Sequence, residues 1–90
     1  MPNKTYTDKK IDNNTFYRTI NSTVDDEELV WHRDITDREV HVIDGYGWKI
    51  QYENKLPIEI SSGDVLHINK MDYHRLIKGE TGLVLKIREK

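Results

Sequence analysis

The sequence contains no cysteine, and this absence removes several kinds of chemistry at once. Without thiols there are no disulfides, no thiolate zinc sites and no cysteine nucleophile. A chain of 90 residues is short, and a domain of this size hides only about 60% of the surface that its unfolded form exposes. Because disulfides are excluded, a bound metal ion or a partner subunit remains to supplement its core.

The chain also lacks an excess of basic charge and a long apolar run. Lys and Arg number 14 against 16 Asp and Glu, a formal net charge of -2, and no basic stripe is present to neutralise a phosphate backbone. We therefore expect no nucleic-acid partner. The first fourteen residues have no apolar segment of the kind that a signal peptide or membrane span needs, so we expect a cytoplasmic protein without a membrane partner.

The N-terminal part is poor in side chains that could enter a core. Over residues 1–14 only Tyr6 and Ile11 offer substantial apolar surface, which is too little to offset the entropy lost on ordering. This composition predicts a flexible polar arm over 1–14 and a single domain over 15–90. An alternative is that part of the arm pairs with a sheet edge of a partner subunit.

After the arm, short segments rich in Val, Ile, Tyr and Trp alternate with turn signals, a pattern that favours strands over helices. The predicted strands cover 15–20, 29–35, 38–44, 46–53, 58–61, 65–69, 73–78 and 83–88. The acidic segment 21–29 is expected to be a loop with at most one short helical turn. Short strands at roughly ten-residue spacing predict an all-β sandwich or barrel.

Three side chains in this pattern have metal-ligand chemistry. His32 and Asp34 lie on one predicted strand, whose period of two places them on the same face about 7 Å apart. His74 begins a later strand and can point into a barrel from its rim. Two imidazoles and a carboxylate suit non-haem Fe(II) and leave coordination positions open, while manganese, nickel or zinc would also fit. The competing interpretation is hydrogen-bonded histidines, with Asp34 in an ion pair with Arg33 or Arg38.

The spacing of these residues resembles two sequence motifs of the cupin superfamily, which read H-x-H, a short gap, Glu, six residues, Gly, and later Gly, five residues, P-x-G, two residues, His. The match extends from residue 31 to about residue 78. The positions that carry it are His32, Asp34, Arg38, Gly45, Gly63, Asn69, Met71 and His74. The resemblance implies a single-domain cupin-type double-stranded β-helix barrel, often a homodimer, in which the motif histidines hold a metal.

The sequence departs from the cupin motifs at the oxygen ligand. Asp34 occupies the position of the second histidine, and Arg38 replaces the glutamate, although an arginine cannot bind a metal. Only His32 and His74 transfer unchanged. The oxygen ligand is therefore Asp34, or Gln51 if its face of the strand lines the cavity, or both. Two alternatives stay open: that Gln51 faces solvent, and that the barrel has lost its metal.

Two functions follow from this site. In the first, a divalent metal, Fe(II) by preference, activates oxygen or polarises a small substrate, as in a dioxygenase-like oxidoreductase, and Arg38 holds an anionic group of that substrate. In the second, the barrel binds a small ligand or acts as an accessory dimer without turnover. Trp48 and Tyr73 are candidates, with Arg38, for a substrate pocket that stacks on a flat or sugar-like ligand. His41 is expected at the surface or a dimer interface, and His67 as a partly buried, hydrogen-bonded residue.

Overall fold

The structure, a computed structural model, describes residues 5–90. Its regular elements are β1 (Tyr6–Lys10), β2 (Thr15–Ile20), a short 3₁₀ helix (Asp26–Glu28), β3 (Arg38–Asp44), β4 (Lys49–Tyr52), β5 (Ile58–Glu59), β6 (Val65–Ile68), β7 (His74–Ile77) and β8 (Leu83–Glu89). They form a five-stranded sheet in the order β1-β2-β8-β3-β6 and a three-stranded sheet in the order β5-β4-β7. All the pairings are antiparallel. The predicted all-β class is confirmed.

The core lies between the two sheets and consists of alternate residues of the strands. Leu83, Leu85 and Ile87 of β8 are buried together, as are Val40 and Val42 of β3. A strand exposes successive side chains on opposite faces, so this period-two pattern directs one apolar row from each strand inward. Full burial of each such side chain is worth about 1.5–3 kcal/mol.

Trp48 fills one end of this core. It is completely buried, and its indole Nε1–H donates to the carbonyl oxygen of Thr81 at 2.7 Å. Gly79 passes directly over it, so that a Cβ at this glycine would overlap the Trp48 ring and the carbonyl oxygen of Tyr46. Trp48 is therefore a core residue.

Replacement of Gly79 by alanine is expected to lower the free energy of unfolding by about 1–3 kcal/mol, because the added methyl group overlaps backbone as well as an aromatic ring. Urea denaturation measures this loss. The exposed neighbour Glu80 provides the control, since Glu80→Ala should change stability by less than about 0.5 kcal/mol. Equal stability of Gly79→Ala and the wild type would contradict the close packing of Gly79 against Trp48.

The N-terminal segment differs from the prediction of a loose arm. Residues Tyr6–Lys10 form β1, which pairs with β2 from Tyr6↔Ile20 to Lys10↔Phe16. Arg18 holds this strand, because its guanidinium contacts both carboxylate oxygens of Asp8, at 2.9 and 3.0 Å, and lies 3.7 Å from the Tyr6 ring centroid. The low apolar content of the segment did not predict this strand, because backbone hydrogen bonds and an ion pair stabilise it instead of apolar burial. The expectation for residues 1–4 lies outside the described residues.

The segment before β3 also differs from the prediction. Residues 29–35 do not form a strand. Only His32 pairs, through an isolated bridge: its N–H donates to the His74 carbonyl oxygen at 2.9 Å, and its carbonyl oxygen accepts from the His74 N–H at 3.0 Å. The acidic segment does contain one short turn, the 3₁₀ helix, which Asp25 and Glu28 cap reciprocally. Within residues 5–90, no helix has the length and apolar character needed to cross a membrane.

Candidate metal centre

His32, Asp34 and His74 meet at one end of the space between the sheets. His74 is the first residue of β7, and the bridge to His32 brings the segment before β3 alongside it. Asp34 is held in turn by its carbonyl oxygen, which accepts a hydrogen bond from the Met71 N–H at 2.7 Å. Met71 stands where the cupin motif has glycine, and its φ of 68° is in the left-handed region that glycine favours.

The three side chains present their donor atoms to a common point. His74 Nε2 lies 3.2 Å from Asp34 Oδ2, and His32 Nε2 lies 3.7 Å from Asp34 Oδ1. One donor atom from each residue falls within 4.8 Å of the others. Asp34 and His74 are buried, whereas the His32 side chain is 43% exposed, so the cluster has one open side.

Both imidazole rings are anchored through Nδ1. His32 Nδ1 lies 3.0 Å from the Val30 carbonyl oxygen, and His74 Nδ1 lies 2.7 Å from the Asp72 carbonyl oxygen. A carbonyl oxygen only accepts, so Nδ1 carries the hydrogen in each contact. In the neutral ring the lone pair is then on Nε2, the nitrogen that faces Asp34. Such anchoring by the remote nitrogen is typical of metal-ligating histidines.

The electrostatics of the cluster centre on Asp34. Burial alone would raise the pKa of its carboxyl group, but the neighbouring His74 and Arg38 outweigh burial and lower this pKa. Burial likewise opposes protonation of His74, yet Asp34 and the Asp72 carbonyl raise the pKa of His74. Asp34 Oδ2 is buried and no hydrogen bond of good geometry reaches it. A buried carboxylate oxygen without a hydrogen bond, 3.2 Å from the imidazole Nε2 of His74, is a suitable place for a cation.

The donor set fits a first-row divalent metal ion. Two neutral imidazoles and a carboxylate are the ligands of the facial triad, and they also suit zinc, manganese and nickel. Two ligands that share such an ion at bond lengths of about 2.1 Å lie roughly 3–3.5 Å apart, close to the two separations from Asp34. The residues present therefore fit the metal that the cupin motifs imply.

Arg38 makes ion pairs at the edge of this cluster. Its Nη1 lies 3.4 Å from Asp34 Oδ1, and its Nη2 donates to Glu89 Oε2 at 3.2 Å. Glu89 Oε2 also accepts the Thr36 hydroxyl hydrogen at 2.9 Å. The two interpretations of Asp34 from the sequence, an ion pair with Arg38 and a place beside the histidines, are thus both present in one arrangement.

A cavity of about 450 Å³ adjoins the cluster. Its lining includes the three candidate ligands and Arg38, but neither Trp48 nor Tyr73. Tyr73 instead stacks on Trp31 with ring centroids 5.3 Å apart. Trp48 and Tyr73, which we predicted as pocket residues, therefore lie outside this lining: Trp48 packs in the core, and Tyr73 packs in a separate aromatic pair.

Gln51 does not join the cluster. Its neighbour Ile50 lines the cavity, which places Gln51 on the other face of β4. There its Oε1 accepts from Arg75 Nε at 3.0 Å, and its Nε2 donates to the Lys55 carbonyl oxygen at 3.0 Å. The structure therefore places Gln51, which we predicted as a ligand, outside the cluster, and of the two oxygen donors only Asp34 faces the histidines.

The other two histidines lie away from the cluster. His41 Nε2 contacts Glu39 Oε2 at 3.3 Å, and its side chain is 41% exposed. His67 is exposed, not partly buried as expected. Arg18 also lines the cavity and was not among the predicted site residues. Its signal was present, because Arg18 lies between Phe16 and Ile20 in the same period-two row, on the inward face of β2.

The structure resembles solved structures of cupins. A cupin-2 domain protein from Shewanella frigidimarina superimposes with a TM-score of 0.70 at 19% identity, over 98% of this chain and 84% of that one. An RmlC-like cupin from Methanocaldococcus jannaschii gives a TM-score of 0.68 at 13% identity, over 97% of this chain and 82% of that one. The chain has the cupin fold. No family model matches the sequence, and no curated protein matches it.

Longer proteins share this cupin barrel. The DMSP lyase DddQ from Ruegeria pomeroyi superimposes with a TM-score of 0.67 at 9% identity, over 88% of this chain. This chain spans only 39% of that enzyme, and 37% of another DMSP lyase chain that it matches. The cupin fold predicted from the motif spacing is confirmed, and these likenesses extend to the fold alone.

Proposed function

We propose that this chain is a small metal-binding cupin that holds a divalent ion, Fe(II) by preference, through His32, Asp34 and His74. The observation that carries the proposal is the convergence of two anchored imidazole nitrogens and a buried carboxylate at the end of a cavity. We further propose that the metal serves a reaction of the dioxygenase-like type on a small molecule in that cavity. When bound, such an ion supplies a Lewis acid and, as iron, access to redox chemistry.

The residues of the chain have separate tasks in this proposal. The carbonyl oxygens of Val30 and Asp72 hold the two rings so that Nε2 is directed inward. Arg38 orients the Asp34 carboxylate from the side opposite His74 and neutralises part of the buried negative charge. The aliphatic walls of the cavity limit water on the side of the site away from the exposed His32 ring.

Titration of metal-free protein with Fe(II) under nitrogen, and with Zn(II), tests the binding. We expect one ion per chain in both cases. Electron paramagnetic resonance of the Fe(II)-loaded protein after addition of nitric oxide then tests for an open coordination position, which an enzyme of this type needs. A stoichiometry far below one contradicts the metal site. Full metal binding without a nitric oxide adduct supports the second function, a ligand-binding or accessory cupin without turnover.

We also propose that the protein is a homodimer. Among the described residues, β1 has a strand partner on one side only, so that the backbone groups along its other edge are available for pairing. Light scattering at micromolar concentration should give twice the mass of the chain, and a monomeric mass contradicts this proposal. The cytoplasmic location and the absence of nucleic-acid and membrane partners stay predictions from composition.

A further inference from the structure

The walls of the cavity are mainly aliphatic. Among the described residues that line it, eleven of nineteen are Leu, Ile or Val. They come from both sheets and include Ile20, Val40, Ile50, Ile60, Leu66 and Leu76. Among residues 5–90 the lining contains no Ser, Asn or Gln, and its one aromatic side chain other than histidine is Tyr6. The aliphatic walls offer no hydrogen bonds to sugar hydroxyl groups and no broad platform for a flat ring.

Two arginines are among the charged residues of the lining, and one of them, Arg38, contacts Asp34 of the metal cluster. Arg18 and Arg38 both lie over the Phe16 ring, with guanidinium carbons 5.2 and 5.9 Å from its centroid. Arg18 pairs with Asp8, and Arg38 pairs with Asp34 and Glu89. A divalent ion at the cluster would add two positive charges and open coordination positions at this end of the cavity. Arg38 Nε is also buried there without a hydrogen-bond partner.

We propose that the ligand of this cavity is an aliphatic monocarboxylate, with its carboxylate at the metal and arginine end and its chain against the aliphatic walls. This assignment rests on the metal-binding function proposed above. At about 30 Å³ for each liquid water, a cavity of 450 Å³ has the volume of about fifteen waters, which accommodates roughly six to ten carbon atoms. The flat or sugar-like ligand considered from the sequence does not suit these walls.

Isothermal titration of the Zn(II)-loaded protein with straight-chain carboxylates, from butanoate to dodecanoate below their micelle concentrations, tests the assignment. Burial of each methylene is worth about 0.8 kcal/mol, which is about a fourfold gain in affinity per carbon. We expect this gain up to about eight or ten carbons and none beyond. Octan-1-ol should bind at least about tenfold more weakly than octanoate, since it lacks the charge. The proposal is overturned by equal affinity across the series, by binding of octan-1-ol as tight as that of octanoate, or by binding of glucose 6-phosphate tighter than that of octanoate.

A matched pair of variants tests where the alkyl chain of the ligand lies. Leu66 lines the cavity, and Val65, the preceding residue of β6, points outward and is 45% exposed. In Leu66→Phe the gain in affinity with chain length should stop about two or three carbons earlier than in the wild type. In Val65→Phe it should stop at the same length as in the wild type. Circular dichroism checks that both variants fold. If Leu66→Phe unfolds the protein, Leu76→Phe, on the opposite sheet, takes its place. An unchanged series in a folded cavity variant contradicts the placement.

The experiment separates this assignment from the metal site on which it rests. Metal stoichiometry and chain-length dependence are measured on the same preparation, and the carboxylate series is repeated on metal-free protein. Stoichiometric zinc with no chain-length dependence overturns the ligand class and leaves the metal site intact. Chain-length dependence without stoichiometric zinc contradicts the metal site but supports the aliphatic cavity.

Discussion

Replacement of His74 by alanine is expected to abolish stoichiometric metal binding. His74 contributes the buried imidazole of the cluster, and its Nε2 is the nearer of the two histidine nitrogens to Asp34. Loss of a contact that merely orients a ligand typically costs 10–100-fold in metal affinity, so we expect loss of the ligand itself to cost more than about 100-fold. Elemental analysis of protein purified without a chelating tag, together with zinc titration, measures the loss.

Two control variants sharpen this test. His41→Ala removes a histidine on the outer surface of the sheet, and Gln51→Leu removes the amide that the structure places outside the cluster. Both proteins should bind metal as the wild type does. Stoichiometric metal in folded His74→Ala, or loss of metal in Gln51→Leu, would show that the ligand set is different.

Replacement of Asp34 by alanine is expected to destabilise the metal-free protein by about 3–5 kcal/mol, the usual cost of removing one partner from a buried charge network. The Asp34 side chain is 9% exposed and lies against Arg38 and His74, which would lose their counter-charge. Urea denaturation measures the effect. Since this loss is large for a domain with about 5–15 kcal/mol of total stability, Asp34→Asn, which keeps the shape, should be studied beside it.

The same pair of residues gives the metal-free protein a pH dependence of defined sign. The pKa of His74 is raised in the folded state, so its contribution is complete below the ordinary histidine pKa of about 6.5 and is lost as pH rises through the raised value. The pKa of Asp34 is lowered, so its contribution is present above the ordinary value and is lost as pH falls through the lowered one. Stability from the pair is greatest between these limits.

Bound metal should oppose the loss of stability that the metal-free protein shows as pH rises. An ion at the cluster requires His74 in its neutral form, so protons compete with the metal at low pH. The increase in melting temperature caused by zinc is therefore expected to grow between about pH 5.5 and pH 8. In Asp34→Asn the alkaline loss of stability in the metal-free protein should largely disappear. A zinc effect that is constant over this range would contradict competition at His74.

Several features of the site could be predicted because they depend on local geometry. His32 and Asp34 face one point, as a period of two requires, even though their segment forms only an isolated bridge. Extended backbone keeps this alternation without a continuous ladder of hydrogen bonds. His74 followed from motif spacing. Gln51 lies outside the cluster because Trp48, just before β4, and Ile50 on its opposite face bury far more apolar area and therefore decide which face turns inward.

The all-β class and the two histidines of the candidate site could be predicted from the sequence alone, because strand periodicity and motif spacing act along the chain. Only the three-dimensional fold shows that Asp34, and not Gln51, lies beside the histidines, that carbonyl groups of Val30 and Asp72 anchor the rings, and that Tyr6–Lys10 forms a strand. It also decided that the cavity is aliphatic. These features depend on contacts between segments far apart in the chain, which no local pattern encodes.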